Sequence, residues 1–333
     1  MKINIILVLL MLLTVINAQV KQVGREVPIV VEIMYKKGLL KLARSQKPDG
    51  SFPGSYGKHS SITGLSVLSF IASGEDPNYG IYKNQIKKAV NFILKKQDKN
   101  GFFGINMYNQ NYTTLCLAEM AGAIHDERIG LALQRAVKQI VSVQSLNKSG
   151  GWSYSPTERS RALSTITGAA LVGLLSARNA GIEVPQKAIN KGLAIMTKYQ
   201  AANGLIGYSS ARSNSRSGRT ALGLLCFHLA RQAKHSTARK AAIALRKKRY
   251  SAANGSHDWY GFYYTPQALF QENMPAFNKW NKQNIVALKR IQQPNGGWYL
   301  LGGRMESLST NIALLSLAMN YRILPIYERQ ESE

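Results

Sequence analysis

Carboxylates are scarce in this sequence. It sets 17 Asp and Glu against 43 Lys and Arg, a formal net charge of +26, and from Val184 to His257 it has no acidic residue at all. Acids this few and this scattered exclude a calcium site, which needs clustered carboxylates. Cysteine is scarcer still. Cys116 and Cys226 both lie in apolar stretches, where a buried free thiol is the default, and two thiols make neither a disulfide framework nor a metal-ligand set. No apolar run beyond the first 18 residues is long enough to span a bilayer. Metalloprotease, P-loop, nucleophile-elbow and paired-cysteine motifs are absent, and no cofactor or metal is implied.

What is present begins with Lys2, an apolar run from Ile5 to Val15 and small residues ending at Ala18. That order is the pattern of a secretory signal, with residues 1–18 removed and the mature chain exported to the periplasm or beyond. An uncleaved membrane anchor is the alternative. The rest, 19–333, is enough chain for one large core, and an apolar content of 45% is that of a globular protein.

A short stretch then repeats: "QKPDGSF" at Gln46, "QDKNGFF" at Gln97, "QSLNKSGGW" at Gln144, "QAANGLIGY" at Gln200, "SAANGSHDW" at Ser251 and "QQPNGGW" at Gln292. Six copies about 49 residues apart indicate a helical array, a solenoid or a closed ring. Before each copy runs an amphipathic, Lys- and Arg-bearing helix pattern, as in "YKNQIKKAVNFILKKQ". After it comes a nearly uncharged run opening on Thr, as in "TGAALVGLLSA". A helix apolar on most sides has to be surrounded by protein. The repeating unit is therefore an outer amphipathic helix, a loop and an inner buried helix.

The motif has a structural job in this scheme. Gly50, Gly101, Gly204 and Gly296 supply the left-handed conformation that ends the outer helix, and Gln46, Gln97, Gln144, Gln200 and Gln292 bond peptide groups left open there. The aromatics Phe52, Phe103, Trp152, Tyr208, Trp259 and Trp298 fold back between hairpins. The Thr opening each inner helix suits an N-cap.

Six hairpins joined by Gln-x-x-x-Gly-x-aromatic turns resemble the prenyltransferase and squalene-oxidase repeat superfamily, which includes the squalene-hopene cyclases. The strings "HSSITGLSVLSFIASGEDPNYG" and "GGRMESLSTNIALLSLAMNYRILPIY" look like secreted members of it from planctomycete-type bacteria. The resemblance covers about Leu39 to Tyr327 and implies an all-α fold, the α/α toroid. It implies no activity, because a fold hosts many functions. The Asp-x-Asp-Asp acid of the cyclases is missing, as are the Asp-x-Cys zinc ligands of the protein prenyltransferases and the Gly-Cys-Gly-Glu-Gln thioester of complement-type domains.

In such a ring the loops entering the inner helices surround one mouth of the central cavity, where sites form. That rim holds Lys58 and His59, Gln110 and Tyr112, Glu158, Arg159 and Arg161, then Arg212, Arg216 and Arg219, then Tyr260, Tyr263 and Tyr264, and last Arg304 and Glu306. Arg forks bind carboxylate, phosphate or sulfate and Tyr faces stack on sugars. Glu158 and Glu306 are isolated acids suited to orienting salt bridges. His257 and Asp258 are an adjacent pair that could form a general base, although a turn with a hydrogen-bonded His fits them better. The expectation is a non-catalytic binding protein for an anionic glycan, a lipid headgroup or an acidic envelope polymer. The alternative is a hydrolase or lyase acting on an acidic polysaccharide. Nucleic acid is not expected as a specific partner of an exported chain without a recognition module.

Overall fold

The computed structural model describes residues 27–54, 59–247, 259–299 and 306–329. Among them are twelve α-helices: α1 (Ile29–Ser45), α2 (Ser60–Ile71), α3 (Lys83–Lys95), α4 (Met107–Met120), α5 (Arg128–Leu146), α6 (Ser164–Asn179), α7 (Gln186–Lys198), α8 (Ser217–Leu229), α9 (Ser236–Arg246), α10 (Trp259–Glu272), α11 (Met274–Ile291) and α12 (Glu306–Leu317). The chain alternates outer and inner helices as the patterning requires. In α7 only Ala188, Ile189, Gly192, Leu193, Ile195 and Met196 are buried, one stripe at helical spacing. In α6 every residue from Ser164 to Ala177 is buried. Each inner helix packs on the next, α2 to α4, α6, α8, α10 and α12, and α12 packs back on α2. The fold is the expected all-α toroid.

The joints explain why the ring has this form. In each described copy the Gln side chain donates twice from Nε2. One bond goes to the carbonyl of its own glycine and one to a carbonyl early in the next outer helix. Gln46 reaches Gly50 O at 3.1 Å and Gln85 O at 2.8 Å, and Gln97 reaches Gly101 O and Ala132 O. Gln144 reaches Gly150 O and Ala188 O, and Gln200 reaches Gly204 O and Thr237 O. Gln292 bonds Gly296 O and Met34 O, both at 2.9 Å, and Met34 lies in α1. The sixth joint therefore uses the same bonds to close the ring on its first helix.

Glycine is required at the joint twice over. Gly50 and Gly296 have φ of 88° and 89°, and a Cβ there would lie 2.2 Å from Lys88 O and 2.4 Å from Lys37 O. This glycine sits in the turn beyond the helix, where it lets the turn touch the next outer helix. The expectation that it ends its own helix is corrected accordingly: Gln46 and Gln292 are themselves the extended residues at the helix ends. The Gln does not serve its own helix end either: it bonds its own turn glycine and one carbonyl of the neighbouring helix.

Two further sequence readings are corrected. Thr63, Thr167, Thr220 and Thr310 are not N-caps but lie inside the first turns of α2, α6, α8 and α12. The Oγ1 of each accepts the backbone N–H of the residue wedged at the joint, Phe52, Trp152, Ile206 or Trp298. In the second hairpin Gln110 Oε1 does this for Phe103 at 2.9 Å, and the helix starts at Met107, six residues before Thr113. In the fourth hairpin the wedge is Ile206, fully buried, and not Tyr208. Trp152 and Trp298 also donate Nε1–H to Ile140 O and Leu288 O. The side chain of Trp259, the fifth wedge of the sequence reading, lies outside the described residues, as do residues 1–26 with the signal segment. No described helix is long and apolar enough to cross a membrane.

Candidate functional site

The described joints face one end of the ring, so the loops leaving them enter the inner helices there. These loops interlock. Met107, first in α4, donates its N–H to Tyr154 O of the following loop at 2.9 Å, and Ser164, first in α6, donates to Tyr208 O at 2.9 Å. Helix starts have open N–H groups, and here the next hairpin supplies the acceptor. The same contacts carry the side chains of Tyr154 and Tyr208 to the mouth.

A row of rings results. Tyr112 stacks on Tyr108 with centroids 5.2 Å apart, and Tyr108 lies nearly parallel to Tyr154 at 6.2 Å. Tyr154 comes next to Tyr208, and burial together with the neighbouring Tyr208 hydroxyl pushes its own hydroxyl up to about 12. The Arg219 guanidinium sits 5.5 Å from the Tyr208 ring centre, within cation–π range. Tyr154 keeps 44% of its surface exposed. The row thus runs from the buried interior to solvent across three hairpins, with Tyr154 its exposed ring.

The inner end of the row is closed. Tyr112 Oη and Tyr264 Oη are 2.6 Å apart, joining α4 to α10, three hairpins away around the ring. Tyr263 and Tyr264 meet edge to face at 4.7 Å, and both are buried. These two tyrosines, expected on the rim, instead fill the ring's interior.

Deeper along α4 lies Glu119, buried, its Oε2 accepting the N–H of Ile326 at 3.0 Å. Burial is the main cause that raises this carboxyl to about 7. Ile326 belongs to a short 3-10 turn, Pro325–Tyr327, that packs on α6 at the far end of the inner bundle. Nothing in the sequence marked Glu119 as special, since one Glu in an apolar helix has no motif.

The remaining candidates divide between the mouth and solvent. Arg159, Arg161, Arg212 and Arg216 are exposed in the loops entering α6 and α8. Arg159 folds onto Pro156 O at 2.8 Å. Glu158, in the loop that carries Tyr154, accepts from Ser160 N and Oγ, both at 2.9 Å, and these bonds hold its carboxyl below the ordinary range. Glu306 opens α12, pairs with Lys41 Nζ at 2.8 Å and accepts from Tyr299 Oη at 3.4 Å. Lys58, His257, Asp258 and Arg304 lie outside the described residues, as does the side chain of Tyr260. Tyr108 falls at no repeated position, and Tyr154, two residues past its wedge as Tyr208 is, was not matched to Tyr208 because Tyr208 was itself read as the wedge.

A family model for DUF6288, a domain of unknown function, matches residues 36–308. No curated protein matches the sequence. Solved structures do. An α-1,6-mannanase, GH76A of Salegentibacter sp. HEL1_6, is similar with a TM-score of 0.67 at 8% identity, over 87% of this chain and 99% of that one; it is an inactive variant with two successive aspartates replaced by asparagine, in complex with α-1,6-mannotriose. A family 76 glycoside hydrolase from a bovine Bacteroides thetaiotaomicron strain gives 0.64 at 12%, over 90% and 78%. Cellobiose 2-epimerase from Bacillus thermoamylovorans B4167 gives 0.62 at 12%, over 84% and 95%.

At these identities the likeness establishes the fold. It also corrects the resemblance to the prenyltransferase and squalene-cyclase superfamily, because the matched toroids named above are glycoside hydrolases and an epimerase. The joint misled because it solves a packing problem, docking one hairpin on the next, and says nothing of the chemistry inside. The expectation of a non-catalytic binder is corrected with it. That expectation rested on missing cyclase and prenyltransferase motifs, which lose their weight once those families are set aside.

Proposed function

The chain belongs to the DUF6288 family, whose description assigns no activity, and from its mouth we propose a glycan-active enzyme, a hydrolase acting on an acidic polysaccharide. The observation that carries this is the row Tyr108–Tyr154–Tyr208 with Arg219 at its end. Sugar rings stack on tyrosine faces, and a guanidinium beside the stack binds a carboxylate or sulfate on the sugar. The solved mannanase in complex with mannotriose supports a glycan as the class of ligand, and the exposed Arg159, Arg161, Arg212 and Arg216 favour an acidic one.

Glycoside hydrolysis uses two carboxyl groups, one to protonate the leaving oxygen and one to act as base or nucleophile. Successive aspartates do not occur in this chain. The carboxylates offered by the described mouth loops outside the joint turns are Glu158 and Glu306. Glu158 is held ionised by Ser160, which suits the base or nucleophile. Glu306, flanked by Lys41 and Tyr299, is taken as the second carboxyl, which requires it to come within about 10 Å of Glu158 across the mouth. The export expected from residues 1–18 supports the reading, since polysaccharide is met outside the cell.

The test is incubation with polygalacturonate, a sulfated glycan and a neutral mannan, reading new reducing ends. An acidic glycan should be cut, and Glu158→Gln should lower turnover by about 10²-fold or more with an unchanged melting temperature. No release from any of the three, or full activity in both Glu158→Gln and Glu306→Gln, would sink the reading. Unsaturated uronate among the products would change the reaction to β-elimination.

A further inference from the structure

The outer helices α1, α3, α5, α7, α9 and α11 each carry three or four Lys or Arg and, apart from Glu32, no carboxylate. The inner helices carry almost no cation: only Arg178 and Arg219. Acids collect at the two ends of the ring. Glu75, Asp76, Asp126 and Glu183 lie in turns between an inner helix and the next outer one, and Asp49, Asp98 and Glu158 lie in the mouth loops. Charge is therefore sorted by position, and the lateral wall is a belt of one sign.

The belt is continuous across neighbouring helices. Lys187, Lys191 and Lys198 line the exposed face of α7, separated by four and seven residues, about 6 and 10.5 Å along the axis. Arg239 and Lys240 are exposed on α9, which the fourth joint holds beside α7 through Gln200 to Thr237 O and through Thr237 Oγ1 to Thr197 Oγ1 at 3.1 Å. Like charges at i and i+4 destabilise a helix, and no acid lies on α7 or α9 to relieve them. Among the described residues, only Lys41, Arg128 and Arg246 of the outer-helix cations form an ion pair.

We infer that this wall is a second binding surface, separate from the mouth, for a long linear acidic polysaccharide lying across the outer helices. Its choice of polymer rests on the glycan reading above and adds where the uncut chain is held. On α7 and α9, which carry Lys187, Lys191, Arg239 and Lys240, the one exposed large apolar side chain is Ile243, whereas a lipid surface is bound by several apolar residues interleaved with the basic ones. Polymer held on the wall stays near the mouth through many encounters, because a second contact is made at high effective concentration.

The experiment measures full-length protein on immobilised polygalacturonate across a salt series, against a Lys187→Gln/Lys191→Gln/Arg239→Gln/Lys240→Gln variant. Log affinity of the wild type should fall linearly with log salt, and the variant's slope should be shallower by about three, at roughly 0.7 counterion released per contact on a flexible polyanion. Cleavage of short oligosaccharides should be the same in both. An unchanged slope overturns the inference, and so does tighter binding to phosphatidylglycerol vesicles or to double-stranded DNA than to polygalacturonate. A wall that retains polymer on a protein cutting no glycan leaves this inference standing and removes the hydrolase reading. A protein that cuts glycan but holds none on its wall does the reverse.

Discussion

The joints and the mouth loops lie next to each other in the chain and obey opposite rules. At Gln46, Gln97, Gln144, Gln200 and Gln292 the same two carbonyls are taken each time, the joint's own glycine and one on the neighbouring helix. A few residues further on, the tyrosine two residues past the wedge recurs in the third and fourth loops, and the other mouth side chains differ. The third loop carries Tyr154 and Glu158, the fourth Tyr208 with Arg212 and Arg216. A ring needs identical hinges, because each turn must rotate the chain by the same amount to close. A site needs different side chains converging from different hairpins. The contrast predicts that joint substitutions cost stability and mouth substitutions cost function.

The largest effect should come at the closing joint. Gly296→Ala places a methyl 2.4 Å from Lys37 O on backbone with φ of 89°. The strain of an L-residue in the left-handed region, about 1–2 kcal/mol, is added to a clash with a main-chain atom that cannot turn aside. We expect a loss above about 3 kcal/mol by denaturant unfolding. Gly122→Ala is the control: its φ is 83°, but nothing lies within 4 Å of the added methyl, so only the strain remains. Equal losses at the two sites would mean that close approach to α1 is not what the closing glycine provides.

The same contrast explains what the sequence could tell. A motif that recurs at Gln46, Gln97, Gln144, Gln200 and Gln292 is visible because each copy confirms the others, and with it the hairpins, their inner and outer faces and the toroid were legible. The joint's internal logic was less so. Thr63 and Thr167 looked like caps because their distance from the wedge is set by a turn that only the fold reveals. Tyr208 was mistaken for the wedge because its aromatic character outweighed the position of Ile206. The mouth was read as a ring of Arg and Tyr, yet Tyr263 and Tyr264 turn inward to meet Tyr112. Which face of α10 meets the axis follows from the packing of opposite helices, which no local pattern encodes.

Glu119 belongs to neither region and gives a test by pH. Its folded carboxyl titrates at about 7, raised mainly by burial, against about 4.3 in an unfolded chain. Between those values the native state holds a proton that the unfolded state has lost, so this group's contribution to stability is fully present at low pH and falls as pH rises through the window. The fall amounts to about 3–4 kcal/mol, since each tenfold difference in proton affinity between the two states is worth about 1.4 kcal/mol. Glu119→Gln keeps an oxygen to accept the Ile326 N–H and cannot ionise. Its unfolding free energy relative to wild type should therefore improve from pH 4 to pH 8. A difference that stays constant over that range would place the carboxyl near its ordinary value, and with it water at the base of the inner bundle.

Thr167 tests the joint at its smallest part. Its Oγ1 accepts the Trp152 N–H at 3.1 Å, and both residues are fully buried. Thr167→Val is nearly the same shape but leaves that N–H without its acceptor where water cannot replace it, which costs about 1–3 kcal/mol. Thr167→Ser restores the oxygen and loses only a methyl, so it should recover most of the loss. Turnover per folded molecule should not change in either variant, since the hydroxyl serves the wedge and not the mouth. If Thr167→Val unfolded no more easily than Thr167→Ser, the methyl and not the hydrogen bond would be what the joint uses, and Gln110, which has the acceptor without the branched side chain, would have to work differently at Phe103.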